Sequence, residues 1–78
     1  MLLASCAAAN TLSRAQAISL ADIEARKHVG DLHRYVRAPV FHEDGRWYVG
    51  YRQPGKKWVD FGVDVYDKTK KAAWVIMQ

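Results

Sequence analysis

The stretch that decides the fold is WYVGYRQPGKKWVDFGVDVY, Trp47 to Tyr66. Trp47, Val49 and Tyr51 alternate with Tyr48, Gly50 and Arg52. After a break, Val59, Phe61, Val63 and Val65 alternate with Trp58, Asp60, Gly62, Asp64 and Tyr66. A period of two places one set on each side of a pleated strand, so the segment reads as two strands that each bury one face. Pro54 and Gly55 stand between them. Proline presets φ and glycine supplies positive φ, which makes this pair a chain reversal and the two strands antiparallel neighbours.

Working outward, residues 72–77 form a further apolar segment, reached through a turn at residues 67–70. In that last strand Ala73, Val75 and Met77 compete with Trp74 and Ile76 for the buried side, and alternation leaves the choice open. Upstream, residues 40–42 form a short strand. It joins the first long one through Asp44 and Gly45, a pair suited to a two-residue hairpin.

Before Pro39 the period is helical. Ser13 and Gln16 have the spacing of a capping box, in which each side chain satisfies the other's backbone N–H, so a helix starts at Arg14. Ile18, Ala21, Ala25 and Val29 recur at three- and four-residue steps as one buried stripe, and Gly30 is the stop signal. Ser19 with Asp22 offers a second start in the same register. Residues 31–37 read either as one more helical turn or as an irregular link. The expected architecture is α+β, an N-terminal helix packed on a three- to four-stranded antiparallel meander sheet. Residues 13–78 form this single domain.

A chain of 78 residues buries only about 60% of the surface it exposes when unfolded. A core of this size rarely leaves more than ~3–5 kcal/mol of net stability, which makes a second subunit a natural reinforcement. Cys6 is the one cysteine, so neither an internal disulfide nor a cysteine zinc site can supply it. The net charge of +4 favours encounter with anionic surfaces without choosing among nucleic acid, headgroups and acidic proteins. No stretch approaches the ~20 apolar residues of a membrane-spanning helix.

Residues 1–12 have a different character. Leu3, Ala4, Ser5 and Cys6 resemble a bacterial lipobox, an apolar residue and two small ones before a cysteine that is acylated and becomes the new N-terminus. Small residues before the cut suit a narrow peptidase cleft. Ala7, in place of an aspartate, implies outer-membrane sorting. The segment is thus read as a truncated signal and lipobox followed by a tether, because only five residues precede Cys6. Acylation would place the protein in the periplasm on a membrane anchor; an unmodified chain would be cytoplasmic.

One helix covers one face of the sheet. With Val59, Phe61, Val63 and Val65 facing it, Trp58 and Tyr66 face away, joined by Tyr48 and Trp74 from neighbouring strands. Large aromatics on an uncovered face are the residue types that anchor interfaces. They serve equally to stack across strands or to close a homodimer. Lys56, Lys57 and Arg52 act as steering charges beside these four anchors, with Arg46, Lys68, Lys70 and Lys71 at other turns and strand ends. Aromatics ringed by cations can also stack bases and hold phosphates, the rival reading as a small basic nucleic-acid-binding module. Asp60 and Asp64 oppose it, since they put negative charge on the row a phosphate backbone would occupy. A sheet-mediated structural dimer is the third reading.

Catalytic patterns are missing. His28, His33 and His42 lack the i, i+4 spacing of a helical zinc pair. Asp60 and Asp64 would sit ~13 Å apart along one strand, too far for a glycosidase pair. No glycine-rich phosphate loop is present. We therefore expect no enzyme activity, no metal and no cofactor.

The helix opening Leu12-Ser13-Arg14-Ala15-Gln16-Ala17-Ile18, the Pro39-Val40 step, Trp47-Tyr48-Val49 and the turn Asp67-Lys68-Thr69-Lys70-Lys71-Ala72 resemble the small bacterial immunity proteins of the nuclear-transport-factor-like fold. More distantly they resemble PepSY-type inhibitory domains. The pattern usually has glycine where Lys70 stands, because that turn position is left-handed. The resemblance implies a small, often lipidated, extracytoplasmic protein that blocks a toxin or enzyme by docking on it. A basic protein of this kind would meet an acidic surface on its partner.

Overall fold

The structure, a computed structural model, describes residues 11–76. It contains helix α1 (Arg14–Arg26), a 3-10 turn (Leu32–Arg34) and strands β1 (Val36–Glu43), β2 (Arg46–Arg52), β3 (Phe61–Tyr66) and β4 (Ala72–Ile76). The four strands form one antiparallel sheet in sequence order, with α1 across β2, β3 and β4. The α+β expectation holds. The lipobox with Cys6 and the end of the last predicted strand lie outside the described residues.

The capping box forms as the sequence predicts. The Gln16 N–H donates to Ser13 Oγ at 3.1 Å and the Ser13 N–H to Gln16 Oε1 at 2.8 Å. Ala17, Ala21 and Ala25, four residues apart, carry the buried stripe, while Ile18 and Val29 pack at its flanks. With only methyl groups beneath it, the helix sits close on the sheet, and the sheet supplies the bulk of the core. Val49, Tyr51, Val63 and Val65 are its fully buried large side chains. The last helical residue is Arg26 rather than a residue next to Gly30, and the following segment resolves as the 3-10 turn. Leu12, assigned from sequence to the tether, is 5% exposed and belongs to the core.

Asp44 and Gly45 take φ of 53° and 75° in the β1–β2 hairpin, and Gly55 takes 84° in the next turn. Here the Lys56 N–H donates to the Gln53 carbonyl at 3.1 Å. Lys70 takes φ of 58°, so the final turn does place a side chain in the left-handed region where the resemblance has glycine.

Two strands differ from expectation. β1 starts at Val36 and includes Pro39, with a register irregularity between Arg37 and Val40. A bulge absorbs the proline, whose ring packs over Gly50, where a Cβ would lie 3.0 Å from Pro39 Cδ. β3 starts at Phe61, leaving Trp58 in the loop instead of on a strand.

Candidate functional site

The eight predicted functional residues do not converge. Cys6 is outside the described residues, and the other seven divide among three places.

Trp74 is not on the open face. It pairs with Val63, stacks on Phe61 at 4.5 Å between ring centroids, and is covered by the ring of His28, in the turn just after the helix, at 4.0 Å. The physical reason is the demand of the core: alanines on α1 leave space that Trp74 fills and that Ala73 or Val75 would not. His28 in turn meets Glu24 at 3.3 Å, a contact that with Lys27 holds the Glu24 carboxyl below its usual range.

Tyr48 and Tyr66 are on the outer face. Tyr48 stacks on Phe41 of β1 at 5.2 Å, and its ring lies over Gly62, where a Cβ would come within 2.5 Å of it. Burial first, then the Asp64 carboxylate, raises the Tyr48 hydroxyl pKa. Asp64 is paired with Arg46 at 3.0 Å. Tyr66, opposite Arg46, is 41% exposed.

Arg52, Lys56, Lys57 and Trp58 gather at the far end of the sheet, in and before the loop at residues 53–60. Tyr66 pairs with Arg46 and the loop begins beyond Arg52, so about 20 Å of strand separates Tyr66 from the loop and about 13 Å separates Tyr48 from it. The loop is tied at several points. Arg52 Nη1 donates to the Lys56 carbonyl at 2.9 Å, Gln53 Nε2 to Asp60 Oδ2 at 3.0 Å, and the Asp60 N–H to the Tyr51 carbonyl at 2.8 Å. On this framework Trp58 is 62% exposed, with Lys56 Nζ 5.5 Å from its ring centroid. An adjoining open cleft of about 600 Å³, lined by Val29, Asp31, Arg34, Tyr35, Gln53 and Pro54 among others, adds Arg34 to this end. The loop is thus a basic tip carrying one indole.

Two polar clusters hold the helix side together, and neither is foreseen from the sequence. Asp22 receives Arg37 Nε and Nη2 at 3.1 and 3.0 Å and the Tyr51 hydroxyl at 2.6 Å. The pair with Asp22 raises the Arg37 pKa, and burial, then the Asp22 bond, raises that of Tyr51. At the other end, Asp67 accepts from the Leu12 N–H at 3.1 Å and meets His42 Nε2 at 2.6 Å, while Trp47 Nε1 donates to the Leu12 carbonyl at 3.0 Å. Burial alone would raise the Asp67 pKa, but His42 and the Leu12 N–H hold it below the usual carboxylate value. The one available signal was Tyr51, an inward tyrosine whose hydroxyl required a buried partner. Among the described residues no buried side-chain polar atom lacks a partner, and no group of three or more His, Cys, Asp or Glu is placed to hold a metal. These clusters are framework; the exposed large apolar side chains are Ile23 on the helix, Val36 and Phe41 on β1, Trp58 in the loop and Tyr66 on β3.

Comparison with family models, curated proteins and solved structures finds no match to this chain. Among the described residues no helix is long and apolar enough to cross a membrane.

Proposed function

We propose that the protein is a non-catalytic binding module that docks its basic tip on an acidic surface of a protein partner and blocks that partner by occlusion. The observation that carries this reading is Trp58, a large aromatic held out to solvent on a loop whose backbone and flanking side chains are tied down. A loop already ordered loses little entropy on binding, and an indole supplies large contact area with few rotatable bonds. Arg52, Lys56 and Lys57 would govern the encounter rate, Trp58 the lifetime of the complex. Phe41, Tyr48 and Tyr66 form a second apolar strip that a large partner could also cover.

This is how an immunity- or inhibitor-type protein would work. Acylation of Cys6 would hold it at the outer membrane, facing periplasmic partners. A photoreactive residue in place of Trp58, activated in the native host, would capture the partner, whose affinity can then be measured. Trp58→Ala should weaken binding by at least about tenfold, mostly through faster dissociation. The pair Lys56→Glu and Lys57→Glu should slow association and flatten its salt dependence. An unchanged dissociation constant for Trp58→Ala would retire the proposal.

A further inference from the structure

The two edges of the sheet are built differently. β1 carries a proline, a bulge and the charged residues Arg37 and Glu43, all devices that discourage another strand from pairing. β4 reads Ala72-Ala73-Trp74-Val75-Ile76, with no charge, proline or glycine, and its register against β3 runs without interruption. Among the described residues nothing pairs with its outer side.

Which backbone groups face outward follows from the hairpin. The Tyr66 N–H donates to the Lys71 carbonyl at 3.0 Å, so Tyr66 and Lys71 form a hydrogen-bonded pair. Antiparallel pairs alternate, which makes Asp64 with Ala73 and Gly62 with Val75 the next bonded pairs. Ala72, Trp74 and Ile76 therefore turn their N–H and C=O groups to the free edge. On β3 the opposite set bonds to β2, as the Asp67 N–H to Gly45 carbonyl bond of 3.0 Å shows.

We propose that this edge pairs with the same edge of a second copy, β4 against β4 in antiparallel register, to give a continuous eight-stranded sheet. The outward groups are their own complement about a two-fold axis at Trp74: residue 72 meets 76 of the other copy, 74 meets 74, and 76 meets 72. Charge selects the antiparallel arrangement. Lys71, just before β4, would stand directly beside its counterpart in a parallel pair, but about 20 Å from it in the antiparallel one, beyond the screening length at physiological salt. His28, in the turn after the helix, meets the Trp74 ring on the face of the sheet, and the proposed contact uses the main chain at the edge. In such a dimer the two basic tips point in opposite directions, so each copy keeps its own free to bind.

The test is sedimentation equilibrium of the full chain and of Ala72→Pro from about 1 µM to about 1 mM. Proline at this position removes an outward N–H and none of the bonds to β3. The expected result is a concentration-dependent dimer that Ala72→Pro weakens at least about tenfold while the circular dichroism spectrum is kept. A wild-type chain monomeric across the range, or a folded Ala72→Pro variant that dimerises as tightly, overturns the proposal. Should the variant fail to fold, hydrogen exchange of the wild type decides. Amides of Ala72, Trp74 and Ile76 must gain protection with concentration while those of Val40 and His42 do not; protection at β1, or at neither edge, rejects the β4 pairing.

Discussion

Gly62 and Val63 are neighbours on β3 and face opposite sides of one sheet. Val63 is fully buried beneath α1, between Val49 and Trp74 on the adjacent strands. Gly62 is buried too, but what covers it is the ring of one half-buried tyrosine from the next strand. The helix side is a core closed by Asp22 and Asp67 at its two ends. The outer side has Tyr48 lying on Gly62 and stacked on Phe41, with the Pro39 ring over Gly50. Burial in this protein therefore has two meanings, one bearing stability and one a cover of single side chains over an open face.

The largest expected effect lies in the first of these. Asp22→Ala leaves Arg37 and the Tyr51 hydroxyl without their partner and should cost about 2–3 kcal/mol in urea denaturation, less than a fully buried pair because Arg37 retains some water. A loss under about 0.5 kcal/mol would show that the cluster is ornamental. Val63→Ala comes next, at about 2 kcal/mol, since the cavity lies where α1 and its alanines cannot collapse further. On the other face Gly62→Ala should cost under about 1 kcal/mol, because the far end of the Tyr48 side chain can swing away. A larger ultraviolet difference signal from Tyr48 in that variant would accompany the small loss. If the costs at 62 and 63 come out equal, the distinction between the faces fails.

The Asp67 cluster makes the stability of the helix side depend on pH. Its carboxyl is held below the ordinary value of 3.8, so its contribution to stability is fully present above that value and is lost as pH falls through the lower folded value. Thermal melts of wild type should therefore decline steeply on the acid side, and Asp67→Asn should be less stable at neutral pH but show a shallower acid decline. Identical slopes would remove Asp67 from the account. The smallest effect belongs to Lys70. Its φ of 58° costs a side-chain-bearing residue what glycine avoids, so Lys70→Gly should stabilise by about 0.5–1 kcal/mol, read as a raised midpoint in urea.

Features that depend on near neighbours in the chain are written into its residues. The Ser13–Gln16 cap, the Asp44–Gly45 hairpin, the Pro54–Gly55 turn and the period-two burial of Trp47 to Tyr51 are encoded within a few residues, where dihedral preference and side-chain reach are enough. That is why the α+β meander was legible. The tertiary structure alone decided three things. It set Trp74 inward, because both faces of β4 are apolar and only the space left by the helix alanines distinguishes them. It kept Trp58 off the sheet, because the Gln53–Asp60 bond closes the loop before alternation can continue. It joined Asp22 to Arg37 and Leu12 to Asp67, across 15 and 55 positions. Such pairs form only when folding removes the water that would otherwise satisfy each group separately, and no local pattern records them.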